Sequence, residues 1–197
     1  MLEKCAREVA REVYLRSDDY LAAFNVKFPN MKYKVSITSV FECSLERAFK
    51  TPMLCDVSKV HTGFGLMPKI TGSINDQNWG VPGASKQVIA AKSLTFKGGQ
   101  ASTDHLLERI ENKYWKIEVD DFKSWMLGFY KFTGEWETIE IETNRIQINY
   151  TYTLHANLRF LAPLQWLFAN LFWKKYMHQV LENIRILTQT KEPYKYQ

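Results

Sequence analysis

The sequence predicts an α+β domain: a curved antiparallel sheet of about seven strands wrapped around one long C-terminal helix. Three observations carry this. The first is strict alternation from Ile146 to Leu158, with Ile146, Ile148, Tyr150, Tyr152, Leu154, Ala156 and Leu158 on one face and polar residues between them. That is a long strand with one dry side. The second is a long apolar segment directly behind it, and the third is the run of hairpin signals between residues 84 and 145. At roughly 3.3 Å per residue the final strand spans about 43 Å, and at roughly 1.5 Å per residue a helix from Pro163 to about Thr190 spans about 42 Å. One can therefore lie along the whole of the other. A single rod does not fill the concave side of a curved sheet, so an apolar cavity is expected between them.

Each element has its own signal. Residues 1 to 25 read as a helix, because Leu2, Cys5, Val9 and Val13 form one stripe among Lys4, Arg7, Glu8 and Arg11. Pro29 ends it. A strand follows from Tyr33 to Glu42, then Ser44 caps a short helix over Leu45 to Lys50, and Pro52 opens a second near Met53 to Val60. Gly63, Gly65, Pro68 and Gly72 mark a loop leading to a strand that ends near Trp79. Hairpins come next: Ala84 to Phe96 and Ala101 to Glu111 flank Gly98-Gly99, and Tyr114 to Phe122 follows Asn112-Lys113. Phe129 to Glu142 is joined to the final strand by Thr143-Asn144. The order is strand, two short helices, six strands, long helix. Residues 31 to 190 make the domain, 1 to 30 an N-terminal extension and 191 to 197 a tail.

Composition bounds the function. With 197 residues, 46% hydrophobic and 24% charged, the chain is long enough for a sizeable core. A net charge of +5 without a run of like charges gives no support to a nucleic-acid partner. The spacing of Cys5, Cys43 and Cys55 fits neither a metal site nor a CxxC pair, so buried reduced thiols and a cytoplasmic setting are expected. The N-terminus lacks the continuous apolar core of a secretory signal, and no apolar run reaches the ~18 residues of a membrane span.

The element order resembles the helix-grip superfamily, also called START-like, SRPBCC or Bet v 1-like, which includes polyketide cyclases, plant pathogenesis-related allergens and lipid-transfer domains. Four parts carry the resemblance: the Ser44 to Val60 helix pair, the strand opening Gly83 to Val88, the hairpin Leu106 to Trp115, and the tail Leu161 to Ile184. It covers roughly Lys32 to Thr190 and is one of pattern, without a diagnostic motif. The N-terminal helix departs from it. The resemblance implies a cavity for an apolar or amphipathic ligand and leaves open whether that ligand is chemically changed.

No GxSxG, HExxH or Walker loop is present, and Gly63-Phe64-Gly65 lies in no strand-turn-helix context. His61, His105, His155 and His178 fall in four separate elements, which fits structural or surface roles and no metal site. A two-residue Asn112-Lys113 turn would face Glu108 with Ile117, placing a carboxyl on the dry face with a raised pKa, suited to acid-base work. A bulge or loose packing there would instead turn Glu108 to water, Arg109 or Lys116. Across Thr143-Asn144 the same arithmetic pairs Glu137 with Tyr150, whereas a one-residue shift puts Trp136 and Thr138 inward and Glu137 outward. Tyr150 and Tyr152 stay inward either way, as core aromatics or as polar handles for a ligand.

The helix is apolar nearly all round from Pro163 to Trp173, so its first half needs two dry sides. One faces the sheet; the other needs the N-terminal helix, a second subunit or a lipid surface, and Lys174 and Lys175 would suit an anionic headgroup. The reading is binding of a hydrophobic or amphipathic small molecule, lipid, polyketide or isoprenoid-like, without a cofactor. Its expected walls are Trp115, Ile117, Ile148, Tyr150, Tyr152, Trp166, Leu167 and Leu171. Two alternatives stand beside it: a polyketide cyclase or dehydratase type of enzyme using Glu108 or Glu137 with Tyr150, and a module docking on a membrane or protein through the apolar helix. Monomer and homodimer are both compatible with the sequence.

Overall fold

The computed structural model describes residues 30–124 and 126–190. The expected N-terminal helix and the tail 191–197 lie outside the described residues. β1 (Met31–Glu42) leads into two short helices, α1 (Leu45–Leu54) and α2 (Val57–Val60). Six strands come next: β2 (Ile70–Asn75), β3 (Ser85–Ala90), β4 (Gly99–Ile110), β5 (Tyr114–Asp120), β6 (Phe129–Glu142) and β7 (Arg145–Ala156). A 3-10 turn at Arg159–Leu161 then enters a C-terminal rod built of α3 (Ala162–Leu167), a π-helical stretch Phe168–Trp173 and α4 (Lys174–Gln189). The predicted order of elements is found. Pro52 does not open the second helix but sits inside α1, and the second helix starts at Val57, where the Asp56 carboxylate accepts from the Ser58 amide at 2.9 Å.

All seven strands form one antiparallel sheet in the order β1-β7-β6-β5-β4-β3-β2. β7 lies second from one edge, paired on both sides by β1 and β6. Its even-numbered residues from Ile146 to Ala156 are all buried, and it pairs without interruption along β1 from Met31–Ala156 to Glu42–Arg145. The sheet wraps round α4, whose Tyr176, Met177, Val180, Leu181 and Ile184 are buried against it.

Two bulges decide which residues face inward. The turn between β4 and β5 takes three residues, with Asn112 in the left-handed region at φ 57°, so Ile110 faces Tyr114. This register pairs Glu108 with Lys116 on the outer face, and a bulge at Leu107 beyond it brings Leu106 opposite Ile117. Leu106 is buried and Glu108 exposed. The hairpin at Thr143-Asn144 has the expected two-residue turn, but a bulge at Ile141 shifts everything beyond it by one residue. Trp136 and Thr138 are therefore inside, and Glu137 lies on the outer face.

The sheet has two unlike ends. At one end β1 runs out into α1, beside the turns after β2, β4 and β6. The Arg47 guanidinium ties α1 to the end of the rod through the Thr188 carbonyl at 2.7 Å. Arg109 lies 5.6 Å from the Phe49 ring and donates to the Gly80 carbonyl at 2.6 Å. This end is closed. The other end carries the segments 61–69, 91–98, 121–128 and 157–161 and the start of α3.

Candidate functional site

Inward positions of β3 and β4 are not all apolar. Lys86 shares the buried face of β3 with Val88 and Ala90, and Asp104 lies between Ser102 and Leu106 on β4. The two charged residues are direct cross-strand partners, with Nζ to Oδ2 at 3.4 Å, and both are more than nine-tenths buried. The Lys86 ammonium also stands 4.4 Å over the Trp79 ring, whose indole N–H donates to the Met53 carbonyl at 2.9 Å. Burial pushes the Asp104 carboxyl up, and Lys86 partly offsets this.

Around this pair lies a cavity in two parts. The larger, about 140 Å³, is bounded by the pair's Asp104, by Val88, Phe132 and Tyr152 of the sheet, and by Trp173 and Tyr176 of the rod. A deeper recess of about 40 Å³ is bounded by Lys86, Asp104, Trp79, Trp115, Trp136 and Tyr150. His61 and Tyr152 border both. His61 Nδ1 meets the Tyr176 hydroxyl at 2.7 Å, and burial, with Lys86 adding to it, pushes the imidazole down to about 4. Burial first, and then Tyr152, hold the Tyr150 phenol well above its ordinary value. Gly134 makes room for Tyr152: a Cβ there would lie 2.9 Å from the ring.

Toward the open end the cavity meets a wider apolar groove of about 650 Å³. Met67, Pro68, Phe96, Ser124 and Met126 border both spaces. The π-helical stretch forms one wall, with Phe168 stacked on Phe172 at 5.4 Å and Phe172 edge-on to Phe64 at 5.3 Å. At the start of the rod, Gln165 is fully buried. Its amide donates to the carbonyls of Leu127 at 2.8 Å and Leu158 at 3.1 Å, and its oxygen accepts from the Tyr33 hydroxyl at 3.0 Å.

The walls are rich in hydrogen-bond donors that the described residues leave unpaired. The buried indole N–H groups of Trp115, Trp136 and Trp173 have no acceptor among the described residues, and the first two rings are stacked at 5.8 Å. An apolar channel ending in donors and one ion pair suits an amphipathic molecule whose acceptor group goes in first. Among the described residues no group of three or more His, Cys, Asp or Glu could hold a metal ion, and no helix is long and apolar enough to cross a membrane.

No family model and no curated protein matches the sequence. Solved structures do match. Ara h 8.0201 superposes with a TM-score of 0.60 at 14% identity, over 80% of this chain and 98% of its own. Norcoclaurine synthase from Thalictrum flavum, in complex with dopamine and hydroxybenzaldehyde, gives 0.57 at 9% identity over 83% and 90%. A protein of unknown function from Staphylococcus aureus gives 0.58 at 13% identity over 82% and 99%. This is the Bet v 1-like, helix-grip fold.

Within the helix-grip cavity the predicted residues divide into three groups. Trp115, Ile117, Tyr150 and Tyr152 line it. Ile148 is solid core with no exposure, while Leu167 and Leu171 border the outer groove and Trp166 projects from α3 with more than half its surface exposed. Glu108 and Glu137 face away from it, and the Glu137 carboxylate accepts from the Asn149 amide at 2.8 Å on the outer surface. Their expected inward placement is corrected by the three-residue turn after β4, which sets Glu108 opposite Lys116, and by the bulge at Ile141. Lys86, Asp104, His61, Trp79 and Tyr176 were not among the expected walls. For the ion pair the signal was in the sequence: Lys86 falls in step with Ala84, Val88 and Ala90, and Asp104 with Ser102 and Leu106. Cys43 and Cys55 are free and buried, and burial pushes the Cys55 thiol up to about 11.

Proposed function

We infer that this protein binds a hydrophobic or amphipathic small molecule, of lipid, polyketide or isoprenoid type, in the cavity between the sheet and the C-terminal helix. The observation that carries the reading is the continuity of the apolar groove with a cavity whose blind end holds Lys86, Asp104 and unpaired indole donors. Such a ligand buries its chain along Phe96, Phe132 and Trp173 and sets a carbonyl, hydroxyl or carboxyl oxygen at the deep end. The small aromatic molecules held by norcoclaurine synthase on the same fold support this reading. The test is titration of the full chain with cis-parinaric acid and with an aromatic ketone, followed by tryptophan quenching, with native mass spectrometry of the protein as purified. Saturation at one molecule per chain is expected. Failure of both probes to saturate, with no co-purifying molecule, overturns it.

A second reading, catalysis on the bound molecule in the manner of a cyclase or dehydratase, is favoured by one feature: a buried ion pair beside Tyr150. Glu108 and Glu137 have no access to a cavity ligand, so the acid-base work would fall to Lys86, Asp104 and Tyr150. Turnover of a polyketide-like ketone that is lost in Lys86→Met while probe binding persists would establish it, and binding without turnover in the wild type would leave a carrier.

A further inference from the structure

The open end of the sheet concentrates apolar side chains that the described residues leave uncovered. Leu94 is 98% exposed, Phe160 78%, Leu66 62% and Trp166 55%, and Leu164, Leu167 and Leu171 are about half exposed. They come from three separate segments, and all sit on or beside the loops and helix that border the 650 Å³ groove. Isolated exposed leucines are ordinary; a concentration of them on the segments that border one apolar groove is not.

The charge on the same segments is one-sided. Residues 61–69, 91–100, 122–128 and 158–175 supply every residue of the groove, and none of the chain's 21 Asp and Glu lies in them. They carry Lys69, Lys92, Lys97, Lys123, Arg159, Lys174 and Lys175. Lys175 borders the groove itself, and Lys123 pairs with Asp121 just outside it. Among the described residues, a surface of mixed charge thus becomes predominantly basic and apolar at this end, with Asp121 at its edge paired to Lys123.

From this juxtaposition we propose that the open end docks on an anionic lipid bilayer, with Leu94, Phe160 and Trp166 entering the interface and the surrounding lysines meeting the headgroups. A bilayer is the occupant that this geometry fits. The apolar side chains sit on a loop tip, a 3-10 turn and a helix, on or beside the segments that border an opening, without forming a flat face, so a rigid protein partner would leave the groove unfilled. A fluid surface needs no matching shape, and it rewards Trp and Phe at the boundary with Lys and Arg behind them. Docked so, the groove opens toward the acyl region, and a ligand could pass between bilayer and cavity without crossing water. The docking itself does not depend on the cavity being filled.

The experiment is co-sedimentation of the full chain with vesicles of phosphatidylcholine alone and with phosphatidylserine added, at low and high salt. Partitioning at least tenfold stronger on the anionic vesicles, falling with salt, is expected. The double substitution Leu94→Glu/Phe160→Glu, at two highly exposed sites, should lower it at least tenfold while melting temperature and probe binding in the cavity stay unchanged; Trp166→Glu should act in the same direction. Absence of binding to anionic vesicles, or binding that these substitutions leave untouched, overturns the proposal. So does binding that appears only when residues 1–29 are removed, which would make that segment the cover, or a dimer that dissociates in the double variant and has no vesicle affinity.

Discussion

Lys86 and Asp104 are the most exacting pair in the molecule. Each ion loses its water on folding, and a lone Nζ–Oδ2 contact at 3.4 Å returns only part of that cost. Removing one partner is therefore worse than removing both. Asp104→Asn should destabilise by about 3–5 kcal/mol, whereas Lys86→Met/Asp104→Leu should return to within about 1–2 kcal/mol of wild type in urea denaturation. The double variant should still bind a purely aliphatic probe but lose about tenfold for one with a carbonyl at its end. His61 sets a pH dependence of opposite origin. Its folded pKa, down to about 4, lies below the ordinary 6.5, so between those values the unfolded chain binds more protons. Stability must fall as pH drops from 6.5 to 4, by on the order of 2–3 kcal/mol. Asp104 works against this at the acid end, because its raised pKa lets the folded state take up a proton first and relieves its burial cost. His61→Gln isolates the two: stability curves measured from pH 4 to 7 should lose the His61 slope and keep the rise from Asp104.

At the scale of elements, the sequence was legible where periodicity is strong and blind where one residue is inserted. The alternation of β7 and the turn at Thr143-Asn144 were read as they stand. A bulge carries no obligatory residue type, so Ile141 looks like any strand residue, yet it reverses the face of the strand beyond it and carries Glu137 outside, as one extra residue in the turn after β4 does for Glu108. The π-helical stretch is likewise unmarked, and its Phe168 and Phe172 border the groove while Trp173 faces the cavity. Lys86 and Asp104 are legible only as charged residues standing in apolar positions of an alternating strand, a pattern that apolar periodicity alone does not mark. Gln165 belongs to the same class: a polar residue in an apolar helix that ties three segments together. Gln165→Leu strands the Leu127 carbonyl and removes the nearer acceptor of the Tyr33 hydroxyl, so it should cost about 1–3 kcal/mol in thermal denaturation. Hydrogen exchange should quicken around 158–167 and stay slow in β7. Equal protection in both would mean that the rod is held by its aromatics alone.

Among the described residues the sheet is closed by charged hydrogen bonds at one end and open at the other, and the asymmetry decides where a ligand can pass. At the closed end α1 is locked to the rod by Arg47, and Arg109 spans from the Phe49 ring to the Gly80 carbonyl, so a ligand entering there would break charged hydrogen bonds. At the open end only side chains separate groove from cavity, namely Met67, Pro68, Phe96, Ser124 and Met126. Two are methionines, the most easily rearranged of apolar residues. Ser124 is the smallest of the five and belongs to no strand or helix, so a larger group there can fill the passage without breaking an element. Ser124→Trp should slow association of a cavity probe at least tenfold in stopped-flow tryptophan fluorescence. Its melting temperature should stay within a few degrees of wild type, because no buried hydrogen bond is removed. Dissociation should slow in proportion if the passage is the only route, leaving equilibrium affinity nearly unchanged. Rates equal to wild type would place the entrance elsewhere, and a loss of affinity at unchanged association rate would mean that the introduced indole invades the cavity and leaves the passage open.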